Sequence, residues 1–276
     1  MPERTDHPNF IILGAAKAGT TALYHYLQQH PQIYMTPLKE TNYFALRGQH
    51  LDFRGPGDDD YVNRMSITNE AAYRAQFEGV RDEIAVGEAS PLYLYHPETA
   101  NRIRQTLPDA KLIAFLRNPV DRAYSAFLHL VRDNRESERD FAAALAREPE
   151  RIAANYEHIW HYMSMGRYYE QLKRYYDRFP SEQIKVFLYR DLRTEPTRVL
   201  REIHGFLGVD ADFCPNMGTR YNEATLPHEL RPPLLPAVRA QLQNELRPEA
   251  LKIQALIGRD LSHWLNQPES EREARF

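Results

Sequence analysis

Phe10-Ile11-Ile12-Leu13-Gly14-Ala15-Ala16-Lys17-Ala18-Gly19-Thr20-Thr21-Ala22-Leu23 runs from an apolar stretch through a glycine-bounded loop into a helical pattern. Four apolar residues without polar alternation predict a strand covered on both faces at 10–13. Similar runs stand at 111–116 and 184–189, with a weaker one at 83–87. Helical spacing follows the first three, at 21–29, 120–132 and 197–207. Strands alternating with helices imply right-handed crossovers and a mainly parallel sheet. The expected fold is therefore α/β: a single domain, 1–276, with a mainly parallel sheet flanked by helices and a P-loop-like nucleotide-binding core.

The loop itself carries chemistry. Free amides at a helix start and the helix dipole make strand, loop and helix an anion site. Two glycines five apart fit the spacing G-x-x-x-x-G-K-[ST], but Thr20 stands where a kinase loop places its lysine. The lysine lies inside the loop, at Lys17, suited to the group attached to a single 5′-phosphate. Ala18, Gly19 and Ala22 offer backbone amides, and Thr20 and Thr21 add hydroxyl donors. Of 35 basic residues only six are lysines, so one placed there is conspicuous. After the 111–116 strand comes Arg117-Asn118-Pro119, with Ser125 one to two helical turns on. A guanidinium and a hydroxyl suit a phosphate monoester.

These stretches resemble the sulfotransferases that use 3′-phosphoadenosine 5′-phosphosulfate (PAPS), and residues 10–23 look like their 5′-phosphosulfate loop. The resemblance runs from about residue 9 to 265. It is nearer to the heparan-sulfate and bacterial branch than to the cytosolic phenol and steroid branch. It implies PAPS as co-substrate, no metal, and Arg117 and Ser125 as 3′-phosphate ligands. Pro37-Leu38-Lys39-Glu40-Thr41-Asn42 is similar to the family's Lys-Glu segment, which makes Glu40 the catalytic base. Some glycan-directed relatives carry His where this chain has Asn42. His129, one helical turn after Ser125, matches a catalytic histidine of the N-sulfotransferases. Gly87-Glu88-Ala89-Ser90-Pro91 resembles a segment with Lys in place of Ala89; Glu88 and Ser90 either line the acceptor cleft or cap the next helix. Arg220 and Tyr221 resemble a basic loop that closes over the nucleotide.

Composition bounds the rest. A formal charge of −3 argues against a nucleic-acid coat protein. With 42% apolar residues, a full core is expected. The lone Cys214 rules out an internal disulfide. No run is long enough for a membrane span and no leader is visible, so a soluble, cytoplasmic chain is expected. His158 and His161 lack an apparent third ligand. Segment 210–236 holds five prolines and reads as a lid or substrate segment, followed by a helical segment at 237–265. The expected acceptor is a carbohydrate or small metabolite bearing a hydroxyl or amine. Two rival readings are a kinase using ATP and magnesium, which Thr20 disfavours, and a nucleotide-binding scaffold without catalysis, which Lys17 and Glu40 disfavour.

Overall fold

The computed structural model describes residues 6–218 and 226–266. Its centre is a five-stranded sheet in the order β2-β3-β1-β4-β5, formed by Phe10–Gly14 (β1), Ile33–Met35 (β2), Ala85–Ala89 (β3), Lys111–Leu116 (β4) and Ile184–Leu188 (β5). Every pairing is parallel. β1 and β3 are buried along their whole length, as strands covered by helices on both faces must be. The chain moves from β1 outward to β2 and β3, then crosses to β4 and β5. The order therefore reverses between β1 and β4, and such a switch point leaves a crevice at the strands' carboxyl ends.

Several boundaries differ from expectation for local reasons. The strand expected at 83–87 lies at Ala85–Ala89: Ile84 is exposed, and Glu83 turns back to accept from the Arg81 amide. Glu88 can enter the strand because hydroxyl groups satisfy its carboxylate. The last strand stops at Leu188, since Tyr189 opens the helix Tyr189–Thr194. The helices Pro119–Arg132 and Pro196–Leu207 each begin one residue early, on a proline, whose fixed φ suits the first helical position. The C-terminal segment is the helix Pro236–Ile257, ended by Gly258 at φ 63°, and the short helix His263–Asn266.

Packing fixes register at the sheet's centre. Phe10 lies opposite Gly87 on the neighbouring strand, and its ring occupies the space a side chain at 87 would need: an added Cβ would fall 2.1 Å from Phe10 Cζ. A second apolar cluster gathers Phe127, Leu130, Phe141, Trp160, Tyr162, Leu242 and Leu246 around the helix Pro119–Arg132. Among the described residues no helix is long and apolar enough to cross a membrane.

Candidate active site

The loop after β1 enters the helix Thr20–Gln28 (α1) at the switch point. Gly19 caps α1 at φ 89°, and no side chain fills the cap. The first amides of a helix have no intrahelical acceptor, so this end of α1 is presented to the crevice. Gly19 is also confined: an added Cβ would lie 3.0 Å from the Tyr189 ring. Arg117, at the end of β4, reaches across the switch point and donates from Nη1 to the Lys17 carbonyl (3.1 Å). Its guanidinium stacks 4.8 Å from the Tyr189 ring centre, and its own carbonyl accepts from Tyr168 Oη (3.1 Å). The Arg117 Nε is buried with no protein partner.

Strain concentrates here. Lys17 (φ 66°), Glu40 (φ 66°) and Asn42 (φ 54°) all adopt left-handed backbone conformations, which cost non-glycine residues free energy and persist where the surroundings enforce them. The enforcing contacts around Glu40 are plain. Its amide donates to the Ala89 carbonyl (2.9 Å), and the Asn42 amide donates to Ser90 Oγ (3.1 Å). Thr41 Oγ1 donates to Glu88. Glu88 also accepts from Tyr73 (2.8 Å) and Tyr93 (2.9 Å).

Glu88 and Ser90 thus stand elsewhere than in an acceptor cleft. Both are fully buried, and they hold the segment that carries Glu40 from behind. A hydroxyl-lined pocket can keep a buried carboxylate, because each bond offsets part of its desolvation.

Charges converge on Lys17. Burial lowers its ammonium to about 8; the Arg132 and Arg117 guanidinium groups act the same way, while Glu40 and Asp133 oppose them. For Glu40, burial pushes the carboxyl up, but the Lys39 ion pair, Lys17 and His129 together hold it below its usual value. It is ionised at neutral pH, with half its side chain exposed. His129 is lowered to about 4 by burial, then by Lys17 and Arg132, with Asp133 opposing. Arg132 Nη2 lies 2.8 Å from His129 Nδ1. Arginine can only donate, so Nδ1 accepts and the proton sits on Nε2, 3.6 Å from Asp133 Oδ2. Nδ1 is thus taken up by Arg132.

Lys17, Glu40, Arg117 and His129 therefore share one electrostatic neighbourhood. Ser125 lies part-exposed on the same helix as His129, and the preceding Tyr124 donates to the Pro232 carbonyl (2.6 Å). This bond lays part of the proline-rich segment against that helix. Arg220 and Tyr221 lie outside the described residues. The sequence reading missed Arg132, Asp133 and Tyr189. The first two follow His129 at i+3 and i+4, a shared helical face; Tyr189 is marked by its place at a strand's carboxyl end. His158 and His161 gain His96 as a neighbour, with ring centres 6.2 and 5.3 Å from that of His158. Among the described residues no group of three or more His, Cys, Asp or Glu is placed to hold a metal ion.

A parallel sheet whose switch point carries a glycine-bounded anion loop marks the P-loop-like class of α/β proteins. Comparison with known proteins narrows the class. The sequence profile of the sulfotransferase family matches residues 8–213. A crystal structure of a sulfotransferase from Alicyclobacillus acidocaldarius superposes with a TM-score of 0.85 at 45% identity, covering 94% of this chain and 98% of that one. The membrane-associated sulfotransferase kil1 of Dictyostelium discoideum is 24% identical over 94% of this chain and 67% of its own length. The bifunctional heparan sulfate N-deacetylase/N-sulfotransferase 3 of Homo sapiens is 29% identical over 73% of this chain, which matches only 22% of that protein's length. The chain belongs to the sulfotransferase family.

Proposed function

We propose that the protein transfers a sulfuryl group from PAPS to a hydroxyl or amine of a carbohydrate or small metabolite. The observation that carries this reading is Lys17. It sits strained within the loop rather than after it, beside an uncapped helix start, with Arg117 anchored to its carbonyl. The residues present fit a donor with two anionic ends: the α1 amides, Thr20, Thr21 and Lys17 toward a 5′-phosphosulfate, and the partly unpaired Arg117 with Ser125 toward a 3′-phosphate. The donor supplies an activated sulfuryl group on a phosphosulfate anhydride.

Lys17 stabilises the charge that builds on the bridging oxygen as the S–O bond breaks. Glu40, ionised and half exposed, takes the proton the acceptor loses as it attacks sulfur. His129, with Nδ1 held by Arg132, stands beside Lys17 as the second catalytic candidate. In this reading the chain acts as one domain. We place the enzyme in the cytoplasm.

The test is calorimetric titration with adenosine 3′,5′-bisphosphate and with ATP, each with and without magnesium. The bisphosphate is expected to bind tightly without metal and in preference to adenosine 5′-phosphate, and Arg117→Ala to erase that preference. Tighter, magnesium-dependent ATP binding would overturn the reading.

A further inference from the structure

The helix Pro119–Arg132 ends in a small cluster of side chains around His129. Ser125 and His129 stand one turn apart on this helix and are both part-exposed, so they share one stripe of its surface. Arg132 and Asp133, three and four residues past His129, turn back over the same stripe. Asp133 takes the guanidinium at two points, Nε donating to Oδ1 (2.7 Å) and Nη2 to Oδ2 (3.0 Å). Nη2 carries a second proton, and it lies 2.8 Å from His129 Nδ1. One carboxylate thus aims an arginine N–H at one ring nitrogen. None of the three side chains is more than 28% exposed, so water competes poorly for these bonds.

We infer that Arg132, held by Asp133, is a positioning residue that fixes His129 as a neutral ring with its proton on Nε2, able to donate to a substrate oxygen and unable to take the acceptor's proton. Only in leaving that proton to Glu40 does this rest on the sulfuryl-transfer reading above. To accept at Nε2, the ring would first have to carry its proton on Nδ1. Two donors would then face each other across the 2.8 Å contact, each without an acceptor there. The Nδ1 lone pair is itself spent on Arg132. The Nε2 proton is free by comparison, because Asp133 Oδ2 stands 3.6 Å away, beyond hydrogen-bond distance. It stays available to an oxygen brought alongside Ser125. Lys17, Arg132 and Arg135 all oppose a charged ring, while Asp133 and Glu40 favour one, and with burial the cations prevail.

The experiment is nitrogen NMR on the full chain labelled at histidine, with the His129 signals identified by their loss in His129→Gln. The signals are followed from about pH 8 to about pH 5, without and with adenosine 3′,5′-bisphosphate. A protonated Nε2 and a bare Nδ1 are expected throughout. In Arg132→Met the midpoint of the ring should rise from about 4 toward the ordinary 6.5, and a form protonated on Nδ1 should appear beside the other. Arg132→Lys, which still offers a donor, should restore the original pattern. The remaining histidine signals report whether each variant keeps the fold. A proton on Nδ1 in the unmodified protein, or a ring that charges above about pH 6, would overturn the inference without any variant. So would an unchanged midpoint in Arg132→Met. Calorimetry on the same samples separates the two readings: absent bisphosphate binding would bring down the donor assignment and leave the tautomer of His129 as measured.

Discussion

Lys17 is held in a left-handed conformation and stripped of part of its hydration, so its ammonium is poised near the working pH. An anionic donor favours the charged form. Affinity for adenosine 3′,5′-bisphosphate should therefore be greatest below about pH 8 and fall as pH rises through that value, by up to about tenfold per unit. Calorimetry across that range checks the slope, and Lys17→Arg, which cannot deprotonate, should flatten it. Lys17→Ala should cost turnover on the order of 10²-fold or more with the fold intact; near-normal turnover would remove Lys17 from the chemistry. Glu40→Gln keeps size and loses the proton acceptor, so turnover should drop about 10²–10⁴-fold with donor affinity undiminished. His129→Ala should cost less. The reverse ranking in single-turnover assays would exchange the two roles.

At the scale of elements, the carboxylate of β3 positions the turn that carries Glu40. Glu88 gathers Thr41, Tyr73, Tyr93 and Ser90 around one buried group. Glu88→Gln leaves at least one of these hydroxyls without its acceptor, a loss of about 1–3 kcal/mol in stability. Because Thr41 and Asn42 would shift with it, kcat should fall while donor affinity holds. A lower melting temperature with unchanged kcat would mean that Glu88 serves the scaffold alone. Much of this architecture was legible in sequence where one signal dominated: unbroken apolar runs for β1 and β4, proline and glycine at helix ends, a lysine between two glycines. It was illegible where the reason was tertiary. Ile33–Met35 is too short to show a period, yet becomes an edge strand by pairing with β3. Glu88 reads as a polar cleft residue and is buried only because distant hydroxyls meet it. Arg135 and Glu157 lie far from any motif and meet only in the folded chain, where they pair around Asp58.

Across the whole molecule, several histidines are kept neutral by burial. His158 is lowered to about 3 and His96 and His204 to about 4, each by burial first and then by neighbouring charge. In the unfolded chain these rings take up protons near pH 6.5. Their contribution to stability is complete above that value and is lost as pH falls toward about 4, at up to about 1.4 kcal/mol per unit for each ring. Denaturant midpoints should therefore drop steeply between about pH 6.5 and about pH 4.5, and His158→Phe should make the fall shallower. An unchanged slope would mean that carboxylates govern acid unfolding.

The ring of Phe10 filling the place of a side chain at Gly87 has a consequence for how this sequence can drift. Neither position can enlarge alone, because the aromatic ring and the missing Cβ share one volume at the middle of the sheet. The two behave as a single inherited character: a lineage that gains a side chain at 87 must first, or at once, trade the phenylalanine at 10 for something smaller. Residue 10 opens the strand that ends in the lysine loop, so this silent exchange of bulk sets which neighbouring sequences can keep the loop in place.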